Sequence, residues 1–269
     1  MEKHHQMQWA LITGGSSGIG LSMARCLAKK GYNIILTARG EKRLVEAVTS
    51  LKKEFSVETS YCVADLASPE APNLIYLHCQ KLQGKVTILI NNAGYALPTP
   101  FHKTPMEDEE KFLRVLGISV IALTKLFLTD MMTQGGGKIA IVSSVAAFAP
   151  PSSIQPLYGP IKTFVNRFSE GININYNAKG ITSTAICPGY TITNFHSASG
   201  VQEQMDRVPS FMKKNADRIA SEGVEALLNG KKICVPTLTF KIIVFLLRIL
   251  PHSLFSLFSR LLAPGRYEN

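Results

Sequence analysis

Six short runs of β-branched and aliphatic residues, each followed by a stretch with a different period, leave this chain one class of fold. The runs are Trp9 to Thr13, Ile34 to Thr37, Thr59 to Val63, Thr87 to Ile90, Lys138 to Val142 and Ile181 to Cys187. Between them, Leu21 to Lys30, Leu44 to Phe55, Leu74 to Leu82, Glu109 to Met132 and Phe164 to Asn177 carry apolar residues three and four apart, the helical period. Strands alternating with helices pair in parallel, because right-handed crossovers return the chain to the same end of the sheet. The expectation is a single doubly wound parallel sheet in three α/β/α layers, with ligands beyond the carboxyl ends of its strands. No repeat or linker interrupts the pattern up to about Leu228. Residues 1–235 therefore read as one domain and 236–269 as an apolar, basic helical extension.

Composition supports a large core and limits the chemistry. Apolar residues make up 46% and charged residues 18%, which excludes a disordered or collagen-like chain. The 29 basic against 19 acidic side chains give a net charge of +10, suited to nucleic acid, an anionic membrane or a phosphate-bearing ligand. No basic run is interleaved with aromatics, so nucleic-acid binding is not expected. The five cysteines, Cys26, Cys62, Cys79, Cys187 and Cys234, form no C-x-x-C pair, and the six histidines never fall four apart. Neither a disulfide framework nor a metal site is expected, and a reducing, cytoplasmic compartment is. Met1 to Gln8 is polar and no apolar stretch of signal-peptide length follows it, so no export is expected.

The first strand runs into Thr13-Gly14-Gly15-Ser16-Ser17-Gly18-Ile19-Gly20 and then a helix. Glycine permits a tight turn and close approach of a pyrophosphate, whose charge the helix N-terminus attracts. Alone, such a cluster also reads as a structural turn; the strand before it and the helix after it are what a nucleotide site requires. The second strand ends in Leu36-Thr37-Ala38-Arg39, with Lys42 and Arg43 one turn on. An acid there would accept the ribose hydroxyls of NAD, whereas a guanidinium fork suits the extra phosphate of NADP. NADP(H) is the expected cofactor, held by Arg39 and Arg43, while Glu41 keeps NAD open. Farther on, Tyr158 and Lys162 lie four apart, so on a helix they share a face and the ammonium stabilises phenolate. The competing reading is a surface tyrosine with an unrelated lysine.

The T-G-x-x-x-G-I-G spacing, together with Asn91-Asn92-Ala93-Gly94 after the fourth strand, resembles the short-chain dehydrogenase/reductase family. The resemblance runs from Trp9 to about Thr193 and more loosely to Val235. It implies a Rossmann-like fold and hydride transfer between nicotinamide and a carbonyl or alcohol carbon. By the same resemblance, Gly14, Ser16, Ser17, Gly18, Ile19 and Gly20 cradle the dinucleotide, Asn92, Ala93 and Gly94 pack beside it, and Asp65 with Leu66 meets the adenine end. Pro188, Gly189, Thr191 and Thr193 match its P-G-x-x-x-T segment, at the carboxamide and pyrophosphate. Tyr158 becomes the proton donor or acceptor and Lys162 binds the ribose and tunes it. Ser144, with Ser143 in reserve, donates to the substrate oxygen. Ser144 and Tyr158 stand one residue farther apart than is usual, which points to an insertion at Pro150-Pro151.

Two departures bear on activity. The family's asparagine in the helix after the fourth strand matches Ser119 of Ile118-Ser119-Val120, whose shorter reach weakens or reroutes the proton relay. Pro160, between Tyr158 and Lys162, is tolerated only in a helix's first turn. A shifted helix start would misplace Tyr158.

From Asn194 to Ala220 both periods fade, and Phe195, Met205, Val208, Phe211 and Met212 recur among polar residues. In relatives this stretch is a lid, and its apolar residues imply a hydrophobic carbonyl substrate or packing against the domain. From Ala226 to Tyr267 there is no acid, but there are Lys231, Lys232, Lys241, Arg248, Arg260 and Arg266. Phe240 to Leu250 is shorter than the roughly 20 residues of a membrane span. After Pro251, Leu254, Phe255, Leu257, Phe258, Leu261 and Leu262 oppose Ser253, Ser256, Ser259 and Arg260. Peripheral contact with an anionic membrane through 238–262 is the expectation, against a homo-oligomer interface or a pocket cover. The functional expectation is an NADP(H)-dependent oxidoreductase of a hydrophobic ketone or secondary alcohol, 3-ketosphinganine-like, lipid or steroid. The alternative is a catalytically weak NADP(H)-binding sensor or scaffold.

Overall fold

The computed structural model of the chain describes residues 8–149, 156–193 and 209–249. Seven parallel strands form its main sheet in the order β3-β2-β1-β4-β5-β6-β9. They are β1 (Gln8–Thr13), β2 (Asn33–Ala38), β3 (Thr59–Val63), β4 (Lys85–Asn91), β5 (Gly137–Val142), β6 (Ile181–Ile186) and β9 (Ile233–Cys234). The crossover helices are α1 (Gly18–Ala28), α2 (Glu41–Phe55), α3 (Ala71–Gln80), α4 (Met106–Leu113), α5 (Ser119–Thr133), α6 (Tyr158–Tyr176) and α7 (Ala216–Leu228). A two-stranded pair, β7 (Thr191–Ile192) with β8 (Lys214–Asn215), and a C-terminal helix α8 (Leu238–Ile249) complete the described residues.

Successive strand residues point to opposite faces, and both faces are apolar because helices cover both. Leu11, Leu89, Ile139 and Ile141 join Phe112, Leu123, Phe127 and Val165 on one side. Ala10, Ile12, Ile88, Ile90 and Val142 join Met23, Leu27, Leu44, Val224 and Leu227 on the other. The expected doubly wound sheet is therefore the one present. Its seventh strand goes beyond the six apolar runs. Two residues are too short for periodicity to reveal, and β9 is held by its pairing with β6, Cys187 N–H donating to Cys234 O at 2.7 Å.

The long helical period expected over Glu109 to Met132 is broken by a π-helical turn, Arg114–Ile118, between α4 and α5. Met106–Thr133 is long and apolar enough to cross a bilayer, yet Phe112, Leu116, Leu123 and Phe127 spend its apolar face on the core. The stretch read as aperiodic up to Ala220 becomes helical at Ala216, where Asn215 Oδ1 caps by accepting the Asp217 N–H at 2.8 Å. Phe195, Met205 and Val208, the side chain of Phe211, the Pro150-Pro151 insertion and the amphipathic run after Pro251 lie outside the described residues.

Candidate active site

The singled-out segments gather at the carboxyl edge of the sheet. Gly14 N–H donates to Thr37 O at 2.8 Å, and Gly14 and Gly18 adopt φ of +64° and +55°, a region that strains any side chain. A Cβ on Gly20 would fall 2.5 Å from both Asn92 Nδ2 and Gly14 O. Ser17 is the extended N-cap of α1, but its hydroxyl makes no capping bond and the first turn holds no acid. The orphan N–H groups and the dipole of α1 therefore offer the donor set that a pyrophosphate requires, so this turn fits a dinucleotide. Ser16, Ser17, Gly18 and Ile19 are half-buried along it, and Thr193 lies against Gly18.

Asn92, expected beside a cofactor, turns back into the protein. Its Nδ2 donates to Thr13 O at 2.8 Å and Gly14 O at 3.2 Å, bracing the end of β1 and the start of the turn. Thr13, which opens the glycine motif, was given no role of its own by the sequence. Its buried Oγ1 accepts the N–H groups of Asn92 (2.9 Å) and Ala93 (3.0 Å), locking the two loops together. A lone hydroxyl ending an apolar strand was the available signal.

At the far end, Arg39, Lys42 and Arg43 are exposed and, among the described residues, none has an ion-pair partner. Glu41 is engaged: it accepts from Tyr61 Oη at 3.3 Å, and its charge raises the Tyr61 pKa. Asp65 Oδ1 accepts from Ala67 N–H at 3.0 Å, fixing a turn beside buried Leu66.

Tyr158 is the first residue of α6 and Lys162 follows one turn on. The Lys162 side chain is buried, its Nζ donates to Val142 O at 3.0 Å, and it stands 5.7 Å from the centre of the Tyr158 ring. Burial pulls its pKa down to about 8. Pro160 leaves this geometry intact, because the first N–H donated within α6 is that of Ile161, to Leu157 O at 3.0 Å. The feared shift of the helix start does not occur. Ser143 points inward and donates to Lys162 O at 3.0 Å. Ser144 is half-buried and its Oγ accepts from Ala146 N–H at 3.1 Å, capping a short 3₁₀ turn. Phe112 stacks edge-on with Tyr95 and stands 6.5 Å from the Tyr158 ring. Thr191 Oγ1 donates to Gly189 O at 3.0 Å, shaping the loop after β6 that begins at Pro188.

A family model of the short chain dehydrogenases matches residues 8–204. The chain is a short-chain dehydrogenase. It is 31% identical over 239 residues to the very-long-chain 3-oxoacyl-CoA reductase of Anas platyrhynchos, covering 85% of this chain and 72% of that protein. A short-chain dehydrogenase from Sphingobium yanoikuyae, solved in complex with NADPH, superposes with a TM-score of 0.80 at 25% identity, over 97% of each chain. L-sorbose reductase of Gluconobacter frateurii, at 24% identity and a TM-score of 0.75 over 87% of this chain and 97% of its own, shares the fold.

The dehydrogenase differs from the expected pattern on the helix after β4. Ser119 is buried with its hydroxyl donating to Val115 O at 2.8 Å, one turn back along its own helix. Leu116 and Lys162 both approach Gly94: a Cβ there would lie 3.8 Å from Leu116 Cγ and 4.0 Å from Lys162 Nζ. A π-helical turn, Arg114–Ile118, lies immediately before Ser119, so the placement of this residue does not follow from a regular helical count.

Proposed function

We propose that this dehydrogenase is an NADP(H)-dependent reductase of hydrophobic ketones, with a long-chain 3-oxoacyl, 3-ketosphinganine-like or steroid carbonyl as its substrate class. The observation that carries the reading is the buried Lys162 ammonium beside the Tyr158 ring, at the edge of a dinucleotide cradle. When bound, the nicotinamide supplies hydride in reduction or accepts it in oxidation. Tyr158 gives its phenolic proton to the carbonyl oxygen, or takes it back from the alcohol. Lys162 favours the phenolate left behind. Ser144, which accepts from Ala146, keeps its own proton to donate to the substrate oxygen.

The glycine turn with Ser16, Ser17 and Ile19 holds the pyrophosphate, and Asp65 with Leu66 meets the adenine. Arg39 and Arg43, with Lys42, hold the ribose phosphate; their lack of ion-pair partners among the described residues and the engagement of Glu41 by Tyr61 support NADP(H) over NAD. Ala93, Gly94, Pro188, Gly189, Thr191 and Thr193 line the nicotinamide side, with Asn92 acting through the turn it braces. A hydrophobic substrate is supported by the name of the duck relative, a very-long-chain 3-oxoacyl-CoA reductase. It is also supported by half-buried Tyr95, which stacks edge-on with the core Phe112 that stands beside Tyr158.

The protein works as a cytoplasmic enzyme peripheral to an anionic membrane. Leu238, Ile242, Phe245, Leu246 and Ile249 form an exposed apolar row on α8, near exposed Lys231, Lys232 and Arg248. The competing functional reading, a nucleotide-binding sensor without turnover, is favoured by Ser119, whose hydroxyl proton is given to Val115 O of its own helix.

NADPH oxidation with a panel of long-chain and cyclic ketones tests both. Turnover is expected, with Tyr158→Phe lowering kcat by about 10² to 10⁴ and Arg39→Asp weakening NADPH by roughly tenfold or more. Undiminished turnover by Tyr158→Phe refutes the mechanism. NADPH binding without turnover across the panel selects the sensor.

A further inference from the structure

The C-terminal helix belongs to none of the family's motifs, yet it reaches two of the loops that carry them. Phe240 is 1% exposed, and its ring fills the space over Gly189, where a Cβ would fall 2.1 Å from Phe240 Cζ and 2.2 and 2.3 Å from Cε2 and Cε1. The Tyr190 ring stands 6.5 Å from it. Two turns along α8, the Arg248 guanidinium lies 4.8 Å over the ring of Phe148, the residue closing the 3₁₀ turn that Ser144 caps. These loops are already tied once, Val145 N–H donating to Pro188 O at 3.0 Å. The helix ties them a second time.

Its attachment shows that the docking is held against strain. Thr237, immediately before α8, is a buried β-branched residue at φ +71°, a conformation that persists only where the surroundings outweigh its cost. Glu222 of α7 supplies part of that hold: its Oε2 accepts from Thr237 N–H at 3.0 Å and pairs with Lys241 Nζ at 3.3 Å.

We infer that α8 is a clamp on the active site and that Phe240 and Arg248 are positioning residues for the reduction. Phe240 fixes the segment from Pro188 to Thr191, and Arg248 fixes the Ser144 turn, each at a set distance from the other. The inference rests on the proposed roles of those two loops. The physical reason is that reacting atoms must be held near contact distance, and a displacement of about 1 Å costs on the order of 100-fold in rate. Gly189 and Phe240 form one complementary pair, since only a residue without Cβ leaves room for the ring.

Hydrogen exchange of the full chain reads the clamp without reference to turnover. In Phe240→Ala, amides of 144–148 and 187–192 are expected to exchange at least about tenfold faster, as a tertiary contact is lost, while those of β1 and α1 stay unchanged. Gly189→Ala should reproduce this, and the double variant should be no worse than the poorer single one. Phe240→Leu should recover most of the protection and keeps the test open should Phe240→Ala fail to fold. Arg248→Gln should loosen 144–148 alone, by roughly two- to fivefold. With 3-oxohexadecanoyl-CoA, Phe240→Ala should lower kcat by about 10- to 100-fold while NADPH affinity changes by less than about threefold. Unchanged exchange in both loops, additive effects of the two substitutions, or unchanged kcat overturns the inference. Wild-type protein that turns over no carbonyl compound overturns the proposed function instead, and the exchange data still judge the clamp.

Discussion

Lys162 shows how one residue links burial to chemistry. Its ammonium is desolvated and donates to a backbone carbonyl, Val142 O, so the charged form is disfavoured and its pKa falls from 10.5 to about 8. The neighbouring Cys187 thiol, driven by its own burial up to about 12, stays neutral and offers no counter-charge. Between about 8 and 10.5 the unfolded chain binds the extra proton, so the cost of burying this charge is fully present below about 8 and disappears as pH rises through the window. Stability therefore increases with pH there while activity moves the other way. The kcat for ketone reduction should fall along an alkaline limb centred near pH 8 in wild type, and Lys162→Met should be slow at every pH with that limb absent. A limb that survives in Lys162→Met assigns it to another group. The pairing of Tyr158 with Lys162 was legible because a separation of four is a local property of any helix. The inward turn of Asn92 was not, because nothing local says which end of an amide faces a ligand.

At the scale of elements, turns and helix ends decide where the groups stand. Gly20 and Gly14 could be read as turn residues from the sequence, and close backbone approach shows why they are glycine. Pro160 looked disruptive and is harmless, since α6 begins only two residues before it. Ser119 follows a π-helical turn that a regular helical count does not foresee, and its hydroxyl donates to Val115 O. The turn into α8 gives a stability prediction. Thr237 combines φ +71° with a buried Oγ1 that has no hydrogen-bond partner among the described residues. Thr237→Gly removes both costs and adds back only the entropy of glycine, so a net gain of about 1 kcal/mol is expected. An increased denaturant midpoint at constant m-value is the check. A lower midpoint would mean that the threonine methyl is worth more to the packing than its strain costs.

For the whole molecule, the question is what covers the outer face of α8. The inner face, with Phe240 and Val244, is buried, so the described part of the extension expected from 236 onward, Leu238 to Ile249, is a helix docked by one face. The outer face leaves Phe245 at 62% exposure. The full chain should float with phosphatidylserine vesicles, less so as salt rises, and not with neutral ones. Ile242→Asp combined with Phe245→Asp should abolish flotation with kcat on a soluble ketone retained. Failure to float together with a dimer in light scattering that these substitutions dissociate would assign the face to a second copy of the chain.

Periodicity of apolar residues was enough to foresee the alternating fold, and the spacing of glycines, tyrosine and lysine was enough to foresee the family, because both signals live within a few residues along the chain. The two-residue β9, the π-helical turn before Ser119, the inward bracing of Asn92 and the docking of Phe240 over Gly189 depend on which distant segments meet. Those contacts are set by packing the two faces of one open sheet, where a helix rotated by one residue or a single missing Cβ changes every neighbour, and no local pattern records that outcome.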